Sequence, residues 1–299
     1  MLIDLHMHSR NSDGDETVEE LVAQVAKQGI SVFALTDHDR TDGWETASKL
    51  ANELGLSFIP GIEITTEARV GENKPFGIHL LAYLPDPTDP DLVVMLNNNL
   101  NSREIRMKQY LENLRRDYPG LTYELVLSIA KEGSTLGRPD IAKALVSLGV
   151  VRNVDEAFKR KGILSKSSPH YVKNKALDVL DAIKIVRQAG GVPVIAHPLA
   201  RSSKGDAQPD HFPREQFLKM VEAGLLGIES NHIEVPADIK LVLDEFAQEQ
   251  GLILTGSSDY HGLVTKPNNP LGIRTTTIAN LRKIMELGTG TKPTLNHDF

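Results

Sequence analysis

The chain has 299 residues, 40% hydrophobic and 24% charged, ordinary globular usage that excludes wholesale disorder, a collagen-like repeat and a long coiled coil. Its net charge of −7 argues against a nonspecific grip on the nucleic-acid backbone. The absence of cysteine excludes disulfides, a thiolate nucleophile and cysteine-held zinc or iron–sulfur sites, so any metal must sit on histidine and carboxylate side chains.

Seven short apolar runs read as strands, near residues 2–6, 31–36, 57–63, 77–83, 192–196, 225–229 and 252–257. Most lack alternation, as expected of strands covered on both faces. The first intervening helix is marked by the capping-box pair Thr17 and Glu20, by Val18, Leu21, Val22 and Val25 at helical spacing, and by Gly29 as its stop. Trp44 joins Ala47, Ala51 and Leu54 on the core stripe of the second helix. From about 98 to 175 the strand rhythm gives way to helices. One of these has Pro139 in its first turn, a stripe of Ile141, Ala144, Leu145 and Leu148, and Gly149 at its end. Ile239, Val242, Leu243 and Phe246 form another core stripe before Gly251. The expected architecture is α/β: a barrel domain of residues 1–97 and 176–299, interrupted by an inserted helical lid subdomain, 98–175. Setting the insertion aside leaves about 32 residues for each of seven units, close to the ~30 of a βαβ repeat. No glycine-rich dinucleotide fingerprint follows the first strand.

No apolar run approaches the ~18 residues that span a bilayer, and MLIDLHMHS opens without a basic region and apolar stretch. The expectation is a cytoplasmic protein with no membrane attachment and no stable protein partner implied.

Six of the ten histidines fall in or just after predicted strands. Strand one ends in His6-Met7-His8, followed by Asp13; side chains alternate along a strand, so both imidazoles can face one metal. Strand two ends in Thr36-Asp37-His38-Asp39, strand three in Gly61-Ile62-Glu63, and strand four carries His79. Ala196-His197-Pro198 closes strand five, and strand seven runs into Ser258-Asp259-Tyr260-His261. Apolar strands that repeatedly end in imidazole or carboxylate bury costly polar groups unless something pairs with them, and divalent metal does so.

The segments DLHMHS, SDG, LTDHD, GIEI, IHLLAY, IAHP and SSDYHG, in that order, resemble the PHP (polymerase and histidinol phosphatase) family of metal-dependent phosphoesterases. The resemblance implies a distorted (β/α)7 barrel and two to three divalent ions, Mn, Fe or Zn. By motif position it implies His6, His8, Glu63 and Asp259 on the first ion, Glu63 bridging to a second completed by His79 and His197, and Asp13, His38 and His261 on a third. Asp13 stands where some members have His. The stretch from Leu136 to Ala142 is similar to the GRPHIA-type segment of members that act on nucleoside 3′,5′-bisphosphates and short RNA 5′ ends, with Asp140 in place of the usual His.

The implied substrate is a small phosphorylated nucleotide, and the implied reaction removes the 3′-phosphate of a nucleoside 3′,5′-bisphosphate, as in pAp to AMP, by a metal-bridging hydroxide. The close alternative is a 5′-3′ exonuclease on short 5′-phosphorylated RNA. A histidinol-phosphate-type phosphatase is a third reading, and a noncatalytic metal-binding module is the non-enzyme one. Three divalent ions against the carboxylates of Asp13, Glu63 and Asp259 leave about +3 formal charge in the cleft, which suits a phosphate monoester. Arg138 is expected to grip phosphate with its planar fork, and His232 to donate to the leaving group or a second phosphate. Lys166, His170 and Lys173 are expected to add positive charge at the lid, and Asp37, Asp39 and Asn231 to orient imidazoles.

Overall fold

The computed structural model describes residues 1–68, 76–130, 136–173, 176–199 and 213–298. The C-terminal boundary of the inserted unit, expected near 175, lies outside them. The first half of the chain alternates β1 (Leu2–Asp4), α1 (Val18–Lys27), β2 (Ile30–Leu35), α2 (Trp44–Leu54), β3 (Ser57–Ala68) and β4 (Phe76–Tyr83). The helical stretch follows as α3 (Pro90–Arg115), α4 (Tyr123–Ile129), α5 (Arg138–Ser147) and α6 (Val154–Phe158). Strands then return with β5 (Leu177–Asp178), α7 (Val179–Gln188), β6 (Val192–Ile195), α8 (Arg214–Glu222), β7 (Gly227–Asn231), α9 (Ala237–Gln250), β8 (Ile253–Gly256) and α10 (Ile278–Leu287). Among the described residues no helix is long and apolar enough to cross a membrane.

All seven expected strands form, joined by the two-residue β5, which is too short to carry a pattern. The sheet runs β1-β2-β3-β4-β6-β7-β8, with β5 attached to β3. Uniform βα units do not hold throughout: β4 is antiparallel to both β3 and β6, while the other neighbours on the path are parallel. β3 extends five residues beyond the expected end and pairs with β4 from Gly61↔Tyr83 to Ala68↔Phe76. Its second half, Ile64-Thr65-Thr66-Glu67, is too polar to read as the buried run that precedes it. β1 and β8 stand at the two ends of the path, and the segments just beyond them meet in a Met7↔Tyr260 bridge, where the His8 N–H donates to the Tyr260 carbonyl at 2.8 Å.

Both faces of the sheet are buried, as the continuous apolar runs imply. Phe33, Leu35, Phe58, Ile62, Ile64 and Leu80 pack against α1, α2, α7 and the start of α3. The alternate residues Ile3, Val32, Ala34, Ile59, Leu81, Tyr83 and Val194 gather in a second cluster. The Tyr83 hydroxyl, buried there, donates to the Leu5 carbonyl at 3.0 Å. A third cluster belongs to the helical stretch, around Met107, Tyr110, Leu114, Val126, Ile141 and Leu145. One continuous helix serves two cores: α3 gives Leu92, Met95 and Leu96 to the sheet and Met107, Tyr110, Leu111 and Leu114 to the helical unit. The division expected at 98 therefore falls inside a helix.

Local signals explain the helix ends. The Thr17 hydroxyl accepts from the Glu20 N–H at 3.2 Å and the Glu20 carboxylate from the Thr17 N–H at 2.9 Å, and Gly29 follows α1 at φ +69°. Trp44 is buried and its indole N–H donates to Gly61. Two stripe residues depart from expectation: Leu54 and Leu148 are 49% and 39% exposed. Each lies at a helix end just before a left-handed glycine, where the chain turns away from the core.

Candidate metal centre

Nine of the sequence-predicted donors converge on one point of the fold. His6 and His8 follow β1 and are fully buried, while Met7 between them faces the helix-side core. His38, just after β2, bridges to Glu63 of β3. His79 lies opposite Thr65 in the β3–β4 ladder, so the reversal of β4 is what places it two positions from Glu63. His197 follows β6, and Asp259 and His261 follow β8. Backbone strain concentrates here: His197 (φ 27°) and Asp259 (φ 51°) are non-glycine residues in the left-handed region. Gly14 fixes the Asp13 loop, because a Cβ there would lie 2.3 Å from the His8 carbonyl oxygen.

Glu63 is the hub. Its Oε2 stands 3.2 Å from His6 Nε2 and 3.1 Å from His8 Nε2, and those two nitrogens face each other at 3.1 Å. Asp259 Oδ1 lies 3.5 Å and 3.4 Å from the same nitrogens. Glu63 Oε1 meets His79 Nδ1 at 2.7 Å and His197 Nε2 at 3.1 Å. On the other side Asp13 lies 3.2 Å from His261 Nε2 and 3.7 Å from His38 Nε2. Three sets could each hold an ion: His8, Asp13, His38 and His261; His6, Glu63, His197 and Asp259; and His38, Glu63 and His79. These sets divide the same nine residues differently from the motif-based assignment, since His8 falls with the Asp13 set as well as facing His6.

The donors fit divalent cations on chemical grounds. Asp259 Oδ1 and His38 Nδ1 are buried with no hydrogen-bond partner, and unpaired polar atoms at full burial are costly unless something else satisfies them. The all-nitrogen-and-oxygen set suits Mn, Fe or Zn.

Three residues at the site were missed by the sequence reading. Glu229, in β7, is fully buried, with Oε1 and Oε2 at 3.1 Å and 3.2 Å from His6 Nδ1. It also accepts the His197 N–H at 2.9 Å and the Ser257 hydroxyl. Its sequence signal was an acid at the end of the expected strand 225–229. Lys266 pairs with Asp259, so the extra carboxylate and the extra ammonium offset each other in the expected charge balance. Arg103, on α3, binds Asp39 Oδ2 at 3.1 Å and the Thr65 hydroxyl at 2.6 Å.

Without metal, the cluster holds protons. Burial alone would pull the His8 imidazole down, but the adjacent carboxylates of Asp259 and Glu63 outweigh that and push it up to about 9. His6 is likewise held well above its usual value, against burial, by Glu229, Glu63 and Asp259. Burial keeps His38 well below, with Arg103 opposing the pull of Glu63. Burial would raise Glu229, yet His6 brings it down to about 2. A raised His8 contributes stability that is complete below about 6.5 and lost as pH climbs toward 9, whereas a depressed Glu229 contributes above about 4.5 and is lost as pH falls toward 2. We therefore expect the chelator-treated protein to lose a few degrees of melting temperature between pH 6.5 and 9, and added Mn to reverse that trend because it binds deprotonated imidazole. A flat or rising melting temperature in chelator across that window contradicts the assignment.

The remaining expected residues divide. The His232 Nδ1 accepts the Glu234 N–H at 3.1 Å, so the neutral ring carries its proton on Nε2, which has no hydrogen-bond partner and lies 3.6 Å from Asp259 Oδ2. Arg138, half-buried at the start of α5, stacks 5.5 Å over the Phe158 ring. His170 does not join the cluster: its ring nitrogens meet the Asn113 carbonyl and Asp117, both at 3.1 Å, within the helical unit. Lys173 faces Glu67 at 3.8 Å, and Lys166 is exposed with no ion pair among the described residues. Asp37 reaches His8 by hydrogen bonding through Ser12, which donates to it at 2.6 Å and stands 3.4 Å from His8 Nδ1. Asp39 and Asn231 hold no imidazole. Asp39 accepts from Thr65, Asn99 and Arg103, which ties α3 to β3, and Asn231 donates to the Thr275 carbonyl.

Residues 4–144 match the PHP domain. A 5′-3′ exoribonuclease of Haemophilus influenzae is 32% identical over 258 residues, 86% of this chain and 89% of that relative. The chain belongs to the PHP family. It is accordingly a phosphoesterase, a hydrolase of phosphate ester bonds. Two further relatives, each 29% identical, are a phosphoribosyl 1,2-cyclic phosphate 1,2-diphosphodiesterase of Eggerthella lenta (88% of this chain, 95% of the relative) and a 3′,5′-nucleoside bisphosphate phosphatase of Chromobacterium violaceum (87% of each). A solved structure from Bifidobacterium adolescentis, provisionally described as a metal-dependent phosphoesterase, superposes with a TM-score of 0.85 at 36% identity over 96% of both chains. The fold is thus the mixed α/β fold of PHP phosphoesterases, a central sheet with helices.

Proposed function

We propose that this PHP phosphoesterase removes the 3′-phosphate of nucleoside 3′,5′-bisphosphates, with its sheet read as a distorted seven-stranded barrel and its helical unit as a lid. The observation that carries the reading is the buried donor cluster around Glu63, on a chain whose helical unit also bears Arg138, a guanidinium with no hydrogen bond or ion pair among the described residues. In that reading His6, His8, Glu63 and Asp259, then Glu63, His79 and His197, then Asp13, His38 and His261 hold two to three ions. Bound there, divalent metal supplies Lewis-acid polarisation of phosphoryl oxygens and a lowered pKa for water.

The chain's own groups supply the rest. Glu229 fixes the His6 ring through Nδ1, leaving Nε2 directed at Glu63. His232 holds a proton on Nε2 at the cluster's edge, positioned to donate to a leaving or phosphate oxygen. Arg138 grips phosphate with its fork. His79 is only partly covered, at 33% exposure, which leaves that side of the cluster open to substrate. The exoribonuclease relative supports a second reading, cleavage of short RNA from a 5′-phosphorylated end.

Phosphate release from adenosine 3′,5′-bisphosphate, AMP, histidinol phosphate and 5′-phosphorylated oligonucleotides, with Mn, Fe or Zn supplied, separates these readings. Fastest turnover of the bisphosphate is expected, and preference for an oligonucleotide shifts the assignment to the exonuclease. Arg138→Ala should raise KM roughly tenfold with metal content intact; unchanged kinetics remove Arg138 from the site.

A further inference from the structure

The donor cluster carries an ammonium of its own. Lys266 pairs through Nζ with Asp259 Oδ2, its side chain 19% exposed and that of Asp259 2%. Among the described residues no other lysine or arginine forms an ion pair with any of the nine donors. An exposed ion pair contributes little, but this one shares a covered carboxylate, where water screens poorly. Burial would raise the Asp259 carboxyl, and Lys266, ahead of His261 and His6, holds it well below its usual range. The carboxylate is divided between its two oxygens. Oδ2 faces Lys266 and stands 3.6 Å from His232 Nε2. Oδ1 has no hydrogen-bond partner and is turned to His6 Nε2, His8 Nε2 and His261 Nδ1 at 3.5 Å, 3.4 Å and 3.4 Å.

The backbone delivers this ammonium to its place. Asp15 accepts the Val264 and Thr265 N–H groups at 3.0 Å and 2.9 Å and the Thr265 hydroxyl at 2.8 Å. The Lys266 N–H closes the turn on the Gly262 carbonyl at 2.9 Å. Asp259 is held independently of Lys266: the Ser258 N–H donates to Asp4 Oδ1 at 3.0 Å, the Asn269 side-chain amide to the Ser258 carbonyl at 2.9 Å, and His261 Nδ1 stands 2.9 Å from the Asp259 carbonyl. What Lys266 adds is therefore charge rather than position.

We propose that Lys266 is a resident counter-cation of the metal centre, which neutralises Asp259 when no ion is bound and holds down the affinity for the ion that shares that carboxylate through Oδ1. The proposal rests on the reading of the cluster as a divalent-metal centre and is independent of which ester is hydrolysed. Without the ammonium, metal-free protein keeps a buried carboxylate short of positive charge, and an incoming cation meets one repulsion fewer; both effects tighten metal binding.

The test titrates chelator-treated protein with Mn by calorimetry. Lys266→Met should bind Mn roughly tenfold to a hundredfold more tightly than wild type, and Lys266→Arg, which keeps the charge, should stay close to wild type. Metal-free Lys266→Met should melt below wild type, with a larger rise on adding Mn. A merely structural lysine gives the opposite sign, weaker Mn binding on its loss. Unchanged or weaker binding in Lys266→Met, or equal behaviour of the Met and Arg variants, overturns the proposal. If metal-free Lys266→Met does not refold, removal of Mn from the loaded variant decides: retention at chelator concentrations that strip wild type supports the proposal, and loss at the same or lower concentrations overturns it. Wild type that takes up no Mn, Fe or Zn sinks the metal reading itself and Lys266 with it, an outcome distinct from metal bound equally by all three proteins.

Discussion

Glu63→Gln is expected to lower phosphoesterase activity roughly a thousandfold and to strip at least one equivalent of metal. The substitution preserves shape, so the loss isolates charge. Five imidazoles lie around this one carboxylate: His6 and His8 against Oε2 at 3.2 Å and 3.1 Å, His38 beside Oε2 at 3.3 Å, and His79 and His197 against Oε1 at 2.7 Å and 3.1 Å. An amide offers one weaker oxygen and one nitrogen that can only donate, so it cannot serve both sides. Burial would raise the Glu63 carboxyl, and the surrounding histidines, His38 foremost, hold it well below its usual range. Removing it therefore removes the anion that organises the ring set. Elemental analysis of purified protein and initial rates on the substrate panel check this; wild-type metal content with wild-type turnover refutes the central role.

The second large effect is expected at Glu229. Its carboxylate takes three donors at once, the His6 ring, the His197 N–H and the Ser257 hydroxyl, and so positions one donor from each end of the sheet path and one from its middle. A glutamine can accept with one oxygen only, and its amide nitrogen would either face the His197 N–H as donor against donor or force the Ser257 hydroxyl to turn and accept. Glu229→Gln should weaken metal affinity or activity roughly 10- to 100-fold. Because Glu229 acts through other residues, excess Mn should restore part of the activity of Glu229→Gln but little of that of Glu63→Gln. Equal failure of rescue in both variants would mean that Glu229 touches the reaction itself. Wild-type metal affinity and activity in Glu229→Gln would mean that it positions nothing of consequence.

Much of the donor cluster is legible in the sequence because most of its donors are written at an expected strand end. His6, His8, His38 and His197 each interrupt or follow an apolar run where an imidazole has no structural reason to be buried. Glu229 ends the expected strand 225–229 and so carries the same signal, but it lies in none of the matched motif segments, and its partners are 223 residues away for His6 and 32 for His197. The reversal of β4 is hidden for a related reason. The residues joining it to β3 carry no helix pattern, but the polar second half of β3 also hides the ladder that the hairpin builds. Likewise Asp39 resembles a residue that orients His38, yet its carboxylate serves Thr65, Asn99 and Arg103. Adjacency in sequence does not tell which way a side chain points, and here the left-handed backbone at Asp39 (φ 56°) decides it.

The shared helix α3 gives the molecule a phase relation between its two cores. Each residue advances an α-helix by about 100° and 1.5 Å. A single residue inserted between Asn99 and Met107 would therefore swing Met107 and everything beyond it by more than a quarter turn, while leaving every residue of both cores chemically intact. The angular setting of the arginine-bearing unit against the sheet is thus metered by helix pitch, and its length in that span can change only by near-whole turns.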